Sequence, residues 1–222
     1  MTNHPKIPHA VLFDCDGVLV DSEPATFDLI QEEFARYGVH KTISELEEAF
    51  IGSTIENVYQ WGRAHGADLP EGWVDSYYEG LYARLREGTE LMPGIPRLLA
   101  RLDAEGIPFA VGSNGRQAKM EATLGQHPDI RTRLEGLLFS GQDMGMPKPK
   151  PDLYIHAARH LGADPKACVV IEDSATGARA AKNAGMRCLG YSPKGDNPRL
   201  AAEGAELFTD MAQVPRLIGL DP

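Results

Sequence analysis

The sequence predicts an α/β protein: a parallel sheet covered by helices on both faces, with a small all-helical domain inserted after the first strand. Three observations predict it. From residue 91 onward, short apolar runs alternate with amphipathic helical patterns, as in repeated β-α units. The block from 23 to 87 shows helical periodicity and no strand pattern. Polar residues able to do chemistry follow several of the apolar runs, where open parallel sheets bind ligands.

The first strand is the apolar run Val11-Leu12-Phe13, which feeds into Asp14, Cys15, Asp16 and Gly17. Gly17 lets the chain leave the strand at an angle that a Cβ would resist. Ser22 with Pro24 resembles a helix start; Phe27, Ile30, Phe34 and Tyr37 follow at helical spacing, and Gly38 ends the run. Ser44 to Phe50 is a short acidic helix. Ser53 or Thr54 caps a third helix running to Gly66, and Trp73, Tyr77, Leu81 and Leu85 mark a fourth. Beyond the insert come a helix from Pro93 to Gly106, a strand from Pro108 to Gly112, a helix from Gln117 to Leu124 and a strand from Leu137 to Phe139. The alternation continues with a helix from Pro151 to Leu161, a strand from Cys168 to Ile171, a helix from Ala175 to Ala184 and a strand from Arg187 to Gly190.

Composition narrows the function. The chain has 222 residues and a net charge of −10, a size suited to one core domain plus an insert. So acidic a surface disfavours nucleic acid and anionic membrane as partners. MTNHPKIPHA has no long apolar segment, and nothing downstream approaches a membrane span. Cys15, Cys168 and Cys188 all lie in apolar runs and read as buried free thiols, which fits a reducing cytoplasm. A monomer is the default expectation.

Four strand ends carry the candidate site: Asp14 and Asp16; Ser113 and Asn114; Lys148, in the stretch PKPKPD; and Glu172 with Asp173. Each has an ordinary reading. An Asp-x-Asp pair sits in many turns, Ser-Asn caps helices, KPKP makes linkers, and acids favour helix N-termini. Their joint order is what points to chemistry. Two acids as close as Asp14 and Asp16 need a cation or a shared proton between them.

The motifs DCDGVLVDSE, VGSNG, KPKPD and VIEDSATGARAAKNAGM, in this order, resemble those of the haloacid dehalogenase superfamily, most of whose members are Mg-dependent phosphatases. The resemblance implies a three-layer Rossmann-like core over residues 1–22 and 88–222 and a helical cap domain over 23–87. It implies Asp14 as the nucleophile that forms an aspartyl-phosphate and Asp16 as the acid and base. Ser113, Asn114 and Lys148 become phosphate ligands. Mg²⁺ would be held by Asp14, Asp173 and the backbone carbonyl of Asp16, with Glu172 binding directly or through water. The expected partner is a small phosphorylated metabolite, chosen by cap residues such as Glu23, Thr26, Ser53, Thr54 and Asn57.

Departures from related branches sharpen this expectation. Dehalogenases lack the acid that Asp16 supplies. Phosphonate-cleaving relatives use a cap lysine; Lys41 is the only lysine in this insert, lacks their local motif and reads as a surface residue. β-Phosphoglucomutase-like enzymes, the alternative reading, place an arginine after a Gly-x-Ser-type turn and a histidine after the first motif. Here Gly52-Ser53-Thr54 is followed by Ile55, and Thr26 stands at the histidine position. SNGRQAKMEATLG, LLFSGQDM and KPKPDLYIHAA resemble the sugar-phosphate and 6-phosphogluconate phosphatase branch. A binding-only module would not need the full set of nucleophile, acid, lysine and metal acids. A cysteine phosphatase is excluded because no arginine cradle follows Cys15 and its flanking carboxylates raise the thiol pKa.

Overall fold

In the computed structural model, which describes residues 6–50 and 53–220, β1 (Val11–Phe13) lies inside a six-stranded parallel sheet. Its partners are β4 (Phe109–Ser113) on one side and β6 (Val169–Glu172) on the other, with Phe13 level with Val111 and Ile171. Beyond β4 lies β5 (Leu138–Ser140); beyond β6 lie β7 (Arg187–Tyr191) and β8 (Glu206–Phe208). The remaining strands, β2 (Val20–Asp21) and β3 (Glu90–Leu91), pair antiparallel as a separate ribbon. Strand β8 and this ribbon are absent from the sequence reading. Both are too short to display a period of two.

Alternation along the strands builds two cores. Val11 and Phe13 face one layer, made by α5 (Ile95–Ala104), α6 (Gln117–Leu124), α7 (Pro128–Arg133) and α11 (Val214–Leu217). Leu12 faces the other, made by α8 (Asp152–His160), α9 (Ala175–Asn183) and α10 (Pro198–Ala202). Strands buried on both faces explain why the sheet sequences are apolar runs rather than alternating patterns. Helix α5 begins two residues later than the sequence suggests, because Gly94 takes φ +86° and holds the chain out of the helix until Ile95. Cys15, Cys168 and Cys188 are buried and free.

The chain divides into two compact units, one of residues 1–21 and 90–222 and one of Ser22–Thr89. Both passages between them therefore run through the ends of the β2–β3 ribbon. The second unit contains, among the described residues, only helices: α1 (Glu23–Arg36), α2 (Ile43–Phe50), α3 (Ile55–Ala64) and α4 (Trp73–Glu87). Aromatic rings hold it together. Phe34 stacks on Trp61 and meets Phe50 edge-on, while Trp73 Nε1 donates to Glu33 Oε2 at 2.9 Å. Helix α2 starts with reciprocal hydrogen bonds between Thr42 and Glu45, a capping box. Lys41 pairs with Glu45 at the surface. Gly52 of the turn before α3 lies outside the described residues.

Leu12 is fully buried on the innermost strand. Leu12→Ala is expected to lower unfolding stability by about 3–5 kcal/mol in urea titrations. A loss below about 1 kcal/mol would contradict the packing described.

Candidate active site

Asp14 follows β1 directly, and its N–H donates to the carbonyl of Ile171 at 3.0 Å. This bond fixes Asp14 at the C-terminal edge of the sheet, between the ends of β4 and β6. The pairing that orders the sheet therefore also brings Ser113, Glu172 and Asp173 beside it.

Lys148 reaches the same point from the loop after β5. Its ammonium is buried, donates to Asp14 Oδ1, and donates to Glu172 Oε1 at 2.6 Å. The nitrogen also lies 4.8 Å from the Tyr154 ring centroid, a cation–π contact. Glu172 accepts further hydrogen bonds from Tyr154 Oη (2.8 Å), Ser174 Oγ (2.8 Å) and the N–H groups of Asp173 and Ser174. Its oxygens are thus committed to Lys148 and to the start of α9. Among the described residues, Asp14, Glu172 and Asp173 each offer a carboxylate oxygen within 4.8 Å of the others.

Two glycines are required by this crowding. Gly17 sits at φ +77°, and a Cβ there would come 2.1 Å from Asp173 Oδ2. A Cβ on Gly177, in the first turn of α9, would fall 1.6 Å from Glu172 Oε1.

Ser113, the last residue of β4, is buried, and its Oγ accepts from the N–H of Gly115 at 3.0 Å. Asn114 is engaged with the backbone of Lys148. Its Oδ1 accepts from the Lys148 N–H at 2.7 Å and its Nδ2 donates to the Lys148 carbonyl at 3.2 Å. The carboxamide thus clamps the lysine's backbone. Ser140 and Asp143 steady the same loop: Ser140 Oγ donates to the Gly115 carbonyl, and Asp143 Oδ2 accepts from the Gln117 N–H.

Lys119 is a site residue that the sequence did not single out. It lies in α6, and its ammonium is 2.8 Å from Asp16 Oδ1. A polar residue within a helical pattern reads as a solvent-facing position, so only the packing reveals it. The insert residues belong to the other unit. Glu23, Ser53, Thr54 and Asn57 are exposed there, and Thr26 is half-buried. Thr54 Oγ1 caps α3 by accepting from the Asn57 N–H, and Thr26 Oγ1 donates to the Ser22 carbonyl.

Electrostatics divides the acids. Burial pushes the Asp14 carboxyl up to about 7; Lys148 opposes the shift while Glu172 and Asp16 reinforce it. Burial also disfavours the charged form of Glu172, but Lys148, the Ser174 N–H and the Tyr154 hydroxyl prevail and hold it below the usual carboxyl value. The Lys148 ammonium is stabilised despite burial, by Asp14 and Glu172. Burial, then Asp16 and Asp14, push the Cys15 thiol well up, so it is no nucleophile. Three carboxylates around one buried ammonium leave negative charge over. An all-oxygen donor set in that state fits a hard divalent cation such as Mg²⁺.

The sequence profile of the haloacid dehalogenase-like hydrolases matches residues 8–185. The 6-phosphogluconate phosphatase of Escherichia coli K12 is 30% identical over 210 residues, 94% of this chain and 93% of that protein. Hexitol phosphatase A of the same organism is 30% identical over 193 residues, 85% of each chain. A solved haloacid dehalogenase family hydrolase from Deinococcus radiodurans R1, with bound phosphate and sodium, superposes with a TM-score of 0.82 at 31% identity, covering 97% of this chain and 96% of that one.

The Asp14 shift has a sign that can be checked. Its folded-state pKa lies above the ordinary carboxyl value, so its contribution is most favourable at low pH and is lost as pH rises through about 7. In chelator, the thermal midpoint of Asp14→Asn should rise relative to that of wild type as pH climbs from 5 towards 7, and the difference should then stay constant. The relative gain should reach several degrees, since ~1 kcal/mol moves the midpoint of a chain this size by about 2–4 °C. A difference between the two proteins that stays flat across this range would contradict the electrostatic picture.

Proposed function

The chain belongs to the haloacid dehalogenase-like hydrolases, and we propose that it is a Mg²⁺-dependent phosphatase of small phosphorylated metabolites, acting through an aspartyl-phosphate. The observation that carries this reading is the buried Lys148 ammonium held between Asp14 and Glu172, with Asp173 alongside. A phosphate monoester is a dianion, and a carboxylate can attack it only where positive charge is already in place.

The roles follow from position. Asp14 Oδ attacks phosphorus; its O–P bond forms as the bond to the ester oxygen breaks. Asp16 gives its proton to the departing alkoxide. It then takes a proton from the water whose oxygen attacks phosphorus, and the Asp14 O–P bond breaks to release phosphate. The Lys148 ammonium and the Ser113 hydroxyl hold the non-bridging oxygens, and Asn114 and Glu172 hold Lys148. Asp14, Asp173 and the Asp16 carbonyl would hold Mg²⁺, and Glu172, whose oxygens are committed elsewhere, would act behind them. The ion when bound neutralises phosphoryl charge.

The substrate class we favour is a phosphorylated sugar, sugar acid or polyol, in line with the two Escherichia coli phosphatases. The helical unit serves as a cap that selects the substrate, with Glu23, Thr26, Ser53, Thr54 and Asn57 as candidate contacts. A mutase must bind a second phosphate in its cap. Ile55, at the position of the expected arginine, is a buried apolar residue at the start of α3, which favours hydrolysis.

Phosphate release should be measured over sugar, sugar-acid, polyol, nucleotide and two-carbon phosphate esters. Turnover is expected with Mg²⁺ on the first three classes, to stop with chelator, and to fall roughly a thousandfold or more in Asp14→Asn. Activity that survives in Asp14→Asn would rule out the covalent route. Conversion of β-glucose 1-phosphate to glucose 6-phosphate without net phosphate release would favour the mutase instead.

A further inference from the structure

Lys119 occupies a position that local electrostatics disfavours. It is the third residue of α6, and the first turn of a helix repels cations. Its side chain is largely buried, with 18% exposed, and its ammonium pairs with Asp16, itself 30% exposed.

The pair is packed against the loop that carries Ser113. A Cβ on Gly115 would lie 3.3 Å from Ser113 Oγ, 3.5 Å from Lys119 Cδ and 3.7 Å from Asp16 Oδ2. Gly115 thus lies beside the lysine stem, the Ser113 hydroxyl and the Asp16 carboxylate together. The helix that delivers it is anchored by Asp143, which accepts from the Gln117 N–H at 2.8 Å. The lysine is thus built into the same loop as Ser113 and aimed at the acid rather than at the Asp14–Lys148–Glu172 cluster.

We infer that Lys119 is a positioning residue that fixes the direction of the Asp16 carboxylate, and so governs proton delivery to the leaving group. This rests on the phosphatase reading above, in which Asp16 passes its proton to the ester oxygen as that oxygen leaves phosphorus. Lys119 itself neither gains nor loses a proton in the step. Its contribution should be felt only where the leaving group needs a proton.

The test compares kcat/KM for p-nitrophenyl phosphate, whose phenolate departs unaided, with that for phenyl phosphate, whose more basic phenolate needs the proton. Since kcat/KM covers events only through the first irreversible step, hydrolysis of the aspartyl-phosphate does not enter. In Lys119→Met the ratio of the two should rise roughly tenfold or more, as in Asp16→Asn, and in Lys119→Arg it should return to within about threefold of wild type. Lys119→Met added to Asp16→Asn should raise the ratio no further. Thermal midpoints of the variants check that they fold, and Lys119→Arg serves as the milder variant.

If Asp16→Asn raises the ratio while Lys119→Met lowers both substrates equally, or neither, the inference about Lys119 is wrong and the acid role of Asp16 stands. If Asp16→Asn leaves the ratio unchanged, the acid role itself fails and the inference falls with it. No turnover of either ester by wild type with Mg²⁺ would count against the phosphatase reading.

Discussion

The Lys148 ammonium, buried between Asp14 and Glu172, is the interaction on which the rest of the molecule depends. A lysine is rarely buried unless paired, and removing one partner of a buried pair leaves an uncompensated charge. The parallel pairing of β1 with β6 sets the two carboxylates on neighbouring strand ends. The loop after β5 then has to bring the lysine to them, and the Asn114 carboxamide grips that loop at the Lys148 backbone. The order of the sheet is therefore also the order of the charges.

Around this pair the residues separate into those that face the chemistry and those that aim them. Glu172 has its oxygens taken up by Lys148, Tyr154 and the start of α9. Gly17 and Gly177 are fixed by contact with the Asp173 and Glu172 carboxylates. Ser140, the last residue of β5, and Asp143, on the loop after it, hold the turn that carries Ser113 and α6. A reacting group held by such second contacts loses little orientational freedom when substrate arrives.

Much of this was legible in the sequence because parallel strands buried on both faces write themselves as apolar runs, and each run points to the residue just beyond it. Asp14, Ser113, Glu172 and Asp173 could be found that way. Lys148 lies farther from its strand, beyond a loop, and its PKPKPD setting alone reads as a linker. What stayed hidden has physical causes. Strand β8 and the β2–β3 ribbon are too short for periodicity, and α7, α10 and α11 are only four to six residues long. Asn114 reads as a loop residue whose side chain could face anything; only the approach of Lys148 from 34 positions away decides its orientation. Lys119 is invisible for the same reason, since its partner is set by tertiary packing and not by local pattern.

The acids around Lys148 carry more negative charge than one ammonium can balance, and in the proposed reading a divalent cation completes the balance. Calorimetric titration of the metal-free chain with Mg²⁺ at pH 7 tests it most directly, run in buffers of different ionisation enthalpy so that released protons are counted. One ion per chain is predicted, with a fraction of a proton expelled because Asp14 titrates near 7, and with binding severely weakened in Asp173→Asn. Absence of saturable binding, or binding indifferent to Asp173→Asn, would contradict the account.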